Sequence, residues 1–265
     1  MNPTSASRCS AAAGYRGRSP FGGRLNSALG TKDLMNLVMF DIDGTLTNTN
    51  EVDHLCFVQA LSEILQTKAT DTDWTQYEHV TDQGCLEEFI LRNIGRPATQ
   101  KESTRIKKRH IELLGKYAEI KPELFRPIPG AVEILEDLKI RPEVKIGLAT
   151  GAWLESAIIK LRTAGFLHNH IPMATGSDAI SRENIMTSAE RKVVKIAGVN
   201  SFRTRTYVGD APWDVQAANK LGYAFIGIAD GSRAHGLREA GSNFIVKDFR
   251  KPEHFLGLLE MIWDA

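Results

Sequence analysis

From Asn36 onward, short apolar runs alternate with stretches in which apolar residues recur every three or four positions. That alternation is the pattern of a parallel sheet joined by crossover helices. The runs Leu37–Phe40, Val144–Ala149, Ile171–Ala174, Thr206–Val208, Ala224–Ile228 and Phe244–Val246 are strand-sized. Between the later runs, Ile185, Ala189, Val193 and Ile196 form one helical stripe, and Val215, Ala218 and Leu221 another. The prediction is an α/β fold, a doubly wound, Rossmann-like parallel sheet. Between Glu51 and Phe125 the rhythm changes, with no strand-like run and three amphipathic helical stripes instead. The first comprises Leu55, Val58, Leu61 and Leu65, the second Leu86, Phe89, Ile90 and Ile94, and the third Ile106, His110, Leu113, Leu114 and Tyr117. Pro127–Ile128–Pro129–Gly130 cannot continue a helix and marks the return to the sheet. A helical insertion over 50–126 is therefore expected after the first strand of a core built from 35–49 and 127–265.

Directly after the first apolar run comes Asp41–Ile42–Asp43–Gly44–Thr45. In an open parallel sheet ligands bind at the carboxyl ends of the strands, so two carboxylates there face a crevice. One can attack a phosphorus atom while the other handles the proton of the leaving group. Crowded negative charge calls for a cation, and hard oxygen donors favour Mg²⁺. A second acidic piece, Gly209–Asp210–Ala211–Pro212–Trp213–Asp214, follows the strand ending at Val208. Asp210 is suited to complete an octahedral metal site. Asp214 suits ligation, the positioning of a water, or capping of the next helix. A third piece, Thr150–Gly151, closes the strand Val144–Ala149 ahead of a helix with Leu154, Ile158 and Leu161, where a hydroxyl and free N–H groups fit a phosphate oxygen or a plain N-cap.

Asp41-x-Asp43-Gly-Thr, Thr150 and Gly209–Asp210-x-x-x-Asp214 resemble, in order and in strand-end placement, the first, second and fourth signature motifs of the haloacid dehalogenase superfamily. The resemblance runs from about Asn36 to Val246, and its helical insertion is similar to the cap of phosphoglycolate-phosphatase-like members. It implies a Mg²⁺-dependent phosphatase acting on a small phosphorylated metabolite through a phosphoaspartyl intermediate. Asp41 is then the nucleophile and Asp43 the acid and then the base. Asp41 and Asp210 would ligate Mg²⁺ by side chain and Asp43 by its carbonyl, while Thr150, Gly151 and an arginine hold the phosphoryl group. The usual Lys-Pro-x-Pro of the third motif does not occur. Arg182, opening a helix at Ser181–Arg182–Glu183, stands at the matching interval, with Arg191, Lys192 and Lys195 further along the same stretch. Thr81, Asp82 and Gly84 fall where the family's substrate-selecting cap loop would lie, and equally where a helix starts. A phosphomutase of the β-phosphoglucomutase kind would use the same aspartates, and a catalytically idle phosphate-binding module would keep the fold.

Composition narrows this reading without naming a function. Its 33 basic and 32 acidic residues supply no summed positive field for nucleic acid or an anionic membrane. Cys9, Cys56 and Cys85 form no CxxC or Cys/His cluster, which suggests free thiols in a reducing, cytoplasmic setting. A monomer or homodimer is expected. Residues 1–34 carry no acid in their first 32 positions and read as a dispensable tail, a transit segment broken by glycines, or a start placed ahead of Met35.

Overall fold

A computed structural model describes residues 35–68, 72–166 and 170–265; the tail and Cys9 lie outside the described residues. The strands are β1 (Asn36–Phe40), β2 (Val144–Ala149), β3 (Met173–Ala174), β4 (Thr204–Gly209), β5 (Ala224–Ile228) and β6 (Phe244–Val246). They form one six-stranded parallel sheet in the order β3-β2-β1-β4-β5-β6. The fold is thus the expected doubly wound α/β sheet. The order in which strands are added reverses at β1, the switch point beside which ligands bind in such sheets. Register matters as much as order. Phe40 pairs with both Leu148 and Val208, so the residues that follow on three strands reach one edge together.

Both faces of the sheet are covered, as the continuous apolar strands require. Val38 and Phe40 point into one core with α4 (Ala131–Ile140), α5 (Leu154–Thr163) and α9 (Pro252–Trp263). Leu37 and Met39, one residue out of phase, point into the other with α6 (Arg182–Ala197), α7 (Pro212–Leu221) and α8 (Gly231–Glu239). The edge strand β3 is only two residues long rather than the four expected, since Pro172 has no amide to donate; its carbonyl still accepts the Leu148 N–H.

The insertion contains α1 (Asn50–Leu65), α2 (Asp82–Ile94) and α3 (Gln100–Ile120), which bury a third cluster around Phe57, Leu61, Phe89 and Leu114. Thr81 caps α2 by accepting the Gly84 N–H, and Thr99 with Glu102 forms a capping box on α3. Trp153, from the loop leading into α5, is 1% exposed within this cluster and ties the cap to the sheet domain. The first stripe needs correction. Val52, Cys56, Phe57, Ala60 and Leu61 are the buried residues of α1, while Leu55 stands 48% exposed and Val58 half-buried. Apolar residues lie on more than one side of this helix, and packing against α3 selects the side bearing Cys56 and Phe57. Ile94 and Ile196, in the last turns of α2 and α6, and Leu154, in the first turn of α5, are likewise exposed. No helix among the described residues is long and apolar enough to cross a membrane.

Candidate active site

Asp41 follows the last residue of β1 and donates its N–H to Val208, which holds the chain against β4 for one more residue. The chain then turns tightly, with Ile42 O accepting the N–H groups of Leu46 and Thr47. Gly44 sits in this turn at φ +72°, and a Cβ there would lie 1.9 Å from Asp210 Oδ2 and 2.5 Å from Asn50 Nδ2. Only glycine lets the loop approach the second acidic segment so closely.

Carboxylate oxygens of Asp41, Asp210 and Asp214 lie within 4.8 Å of one another. Burial, then the Asp214 charge, pushes the Asp41 carboxyl well above the ordinary range against the pull of Arg182. Burial and Asp214 also raise Asp210, to about 7. Asp41 Oδ1 is buried without a hydrogen-bond partner, and the nearest cation, Arg182 Nη1, is 3.5 Å away. Three hard oxygen donors, close together and strained by mutual repulsion, fit a divalent cation such as Mg²⁺. Asp214 does two jobs: Oδ2 accepts the Ala211 N–H as a helix cap, while Oδ1 lies 2.9 Å from Arg182 Nη1. Of the four basic candidates, Arg182 is the one set against these acids. It opens α6, N-capped by Ser181, and donates to Val80 O at 3.1 Å and Tyr207 Oη at 3.4 Å. Lys192 instead pairs with Asp178, and Arg191 and Lys195 are exposed.

The Asp43 carboxylate is taken up differently. Oδ1 accepts the Thr49 hydroxyl at 2.6 Å, and Oδ2 accepts Lys160 Nζ at 2.8 Å. Lys160 lies on α5 with no exposed side-chain surface, and its ammonium also reaches Asp53 Oδ1 on α1 at 2.5 Å. Asp53 in turn faces His110 Nε2 on α3 at 3.2 Å. Burial opposes ionisation of Asp53, yet Lys160 and His110 outweigh it and hold its carboxyl well below the usual range. The same balance, with Asp43 and Asp53 outweighing burial, raises the Lys160 ammonium.

A cleft of about 900 Å³ opens between sheet edge and cap, and Asp41, Asp43, Thr150, Gly151, Arg182, Asp210, Thr81 and Asp82 all line it. The Thr150 hydroxyl oxygen accepts the Ala152 N–H at 3.2 Å, which leaves its proton to donate elsewhere. Thr81 and Asp82 fasten the cap to the core: the Thr81 hydroxyl donates to Ile180 O, the Asp82 N–H donates to Gly151 O, and Asp82 Oδ2 accepts the Trp153 N–H. Burial, then Asp53, raises Asp82 to about 6. Gly84 is not brought to the cleft; it packs under His79, where a Cβ would come within 2.5 Å of the His79 carbonyl.

Residues 38–228 match the family model of haloacid dehalogenase-like hydrolases. The chain belongs to that family. Solved structures similar in fold include a hydrolase from Pseudomonas syringae, 23% identical over 85% of this chain and 98% of its own, with a TM-score of 0.65. A protein described as a predicted phosphoglycolate phosphatase from Haemophilus somnus 129PT is 19% identical over 84% and 98%, with a TM-score of 0.61. CbbY from Rhodobacter sphaeroides, solved in complex with phosphate, is 17% identical over 82% and 96%, with a TM-score of 0.60. No curated protein matches the chain.

Several residues of this hydrolase's site carry no motif. Lys160 occupies the buried stripe of α5 between Ala157 and Leu161, and a lysine at a core position is the available signal, since an unpaired one would be costly there. His110 was placed by periodicity on an apolar stripe and is indeed fully buried, next to an acid that periodicity does not reveal. Thr49, Asn50, Asp53, Tyr207 and Arg233 reach the site through tertiary contacts alone.

Proposed function

We propose that this hydrolase is a Mg²⁺-dependent phosphatase of small phosphorylated metabolites that works through a phosphoaspartate at Asp41. The observation that carries the reading is the convergence of Asp41, Asp210 and Asp214 within 4.8 Å beside Arg182. Asp41 and Asp210, with Asp214 adjoining, would hold the ion, which when bound screens the carboxylates and withdraws charge from the phosphoryl oxygens. The Asp43 carbonyl is assigned to the same ion on the family pattern.

Asp41 attacks phosphorus in line, forming an aspartyl O–P bond as the ester O–P bond breaks. Asp43, held by Lys160 and Thr49, takes up a proton from solvent before the step and gives it to the departing alkoxide. Arg182 and the Thr150 hydroxyl, with the Gly151 N–H, hold the phosphoryl oxygens through the transfer. Asp43 then takes a proton from water, whose oxygen attacks phosphorus; the aspartyl O–P bond breaks and inorganic phosphate leaves. Thr81 and Asp82 act as the cap loop bordering the leaving group. Two buried free thiols, Cys56 and Cys85, support a reducing, cytoplasmic setting.

A panel of phosphate esters assayed with Mg²⁺ and with chelator tests this reading. Phosphate release should require the ion and vanish in Asp41→Asn, with label from the ester trapped on the wild-type protein by acid quench. Label that returns to sugar rather than to water would identify a mutase, and turnover surviving in Asp41→Asn would sink the mechanism.

A further inference from the structure

With phosphorus at Asp41, the remainder of the cleft belongs to the alcohol half of the ester, and one side of that space is the cap. Besides Thr81, Asp82 and Asp53, the cap residues that line it include Glu51, His54, Leu55, Trp74 and Thr75. Leu55 keeps 48% of its surface exposed, and Trp74 donates its indole N–H to His54 Nδ1 at 2.9 Å, so that tip is already satisfied. Trp74 also packs edge-on against Phe57 and Tyr77, which holds the ring in place. Among the described residues lining the cleft, the cap contributes no lysine or arginine. Both lining arginines come from the sheet domain and face acids: Arg182 meets Asp41 and Asp214, and Arg233 meets Asp210 and Asp230. Six carboxylates line the same space.

Resting on the phosphatase reading, we infer that the substrate is a monophosphate ester of an uncharged or cationic alcohol with apolar surface, carrying no second anionic group. A carboxylate or a second phosphate on the alcohol would leave water to face Glu51, with no lysine or arginine from the cap to pair it, and an unpaired charge is costly to desolvate. Leu55 and Trp74 instead remove apolar surface from water, and an aromatic face beside acids also suits a cationic headgroup. The specificity is set by repulsion as well as by contact.

The test is kcat/KM with Mg²⁺ for phenyl phosphate and phosphocholine against phosphoglycolate and a sugar bisphosphate. The first pair should exceed the second by about tenfold or more, a difference of about one unpaired buried interaction. Glu51→Lys, at an exposed position in the first turn of α1, should raise phosphoglycolate relative to phenyl phosphate by about tenfold. A wild-type preference for phosphoglycolate or the bisphosphate overturns this inference while leaving the phosphatase reading in place, as does an unchanged ratio in Glu51→Lys. Absence of turnover across the whole panel sinks the phosphatase reading, and this inference with it.

Discussion

Two groups of buried charges lie on either side of Asp43's loop, and they are built on opposite principles. At the sheet edge, Asp41 and Asp214 share Arg182 while Asp210 has only Arg233 at 3.7 Å, so the acids outnumber their partners; burial raises all three carboxyls, and the Asp214 charge adds to the rise at Asp41 and Asp210. Beneath the cap, Asp43, Lys160, Asp53 and His110 are linked in a row, and there each acid meets a basic side chain; Asp53 is pushed down and Lys160 up. The first group is short of positive charge, which the divalent cation of the proposed mechanism would supply. The second is complete in the chain and serves to hold one carboxylate still. On the proposed mechanism, one site would thus separate the groups that bind charge from the group that moves a proton. The second group also crosses from α5 to α1 and α3, so the orientation of Asp43 depends on how the cap sits on the core.

Removing a charge from each group should therefore have opposite consequences. Lys160→Met removes the buried cation between Asp43 and Asp53 and should cost about 3–5 kcal/mol in urea unfolding. It should also lower kcat by about a hundredfold with a much smaller change in KM, because the residue positions Asp43 rather than binding substrate. A stability loss below about 1 kcal/mol would show that the row is not matched in the way described.

The next largest effect comes from supplying the missing charge. Mg²⁺ at about a hundred times its Kd should stabilise the wild type by about 2.7 kcal/mol. The same ion should do little for Asp210→Asn, and equal stabilisation of the two proteins in thermal melts would place the ion elsewhere.

A smaller effect is the pH dependence of the metal-free protein. Asp210 titrates near 7 in the folded state against an ordinary value of 3.8, so over that interval the folded chain keeps a proton that the unfolded chain has released. Its contribution is complete below about pH 4 and is lost as pH rises through 7, a change of about 2 kcal/mol between pH 5 and 8. Asp53 runs the other way: its contribution is present above the unfolded value and is lost only in more acid solution. Urea midpoints taken with chelator should accordingly fall from pH 5 to pH 8 in the wild type, and fall less in Asp210→Asn, where the raised carboxyls of Asp41 and Asp214 remain. Parallel slopes would mean that the first group carries no such strain.

The sheet was legible because its strands are continuous apolar runs bounded by turns, and all six were found within two residues at either end. Only the third shrank, for want of an amide at Pro172. Helical stripes were less secure. Leu55 and Val58 have the right spacing for a buried face, but so do Cys56, Phe57 and Ala60, and spacing cannot choose between faces that are both apolar. The first group of charges was legible for a local reason: each of its acids directly follows a strand, or stands within five residues of one. Asp43's partners in the second group were hidden because Lys160, Asp53 and His110 each sit inside a helix, where an isolated polar residue looks like a solvated one.

What the sequence determined by itself was the alternation of strand and helix and the set of polar residues placed just after β1, β2 and β4. Periodicity and strand-end position are local properties, readable over a few residues. Tertiary structure decided which side of α1 faced the core, which arginine met the acids, and that Lys160 would join Asp43 to the cap. Those outcomes depend on pairings across more than a hundred residues of chain, from Asp43 to Lys160 and from Asp41 to Arg182, and only packing at close range can select them.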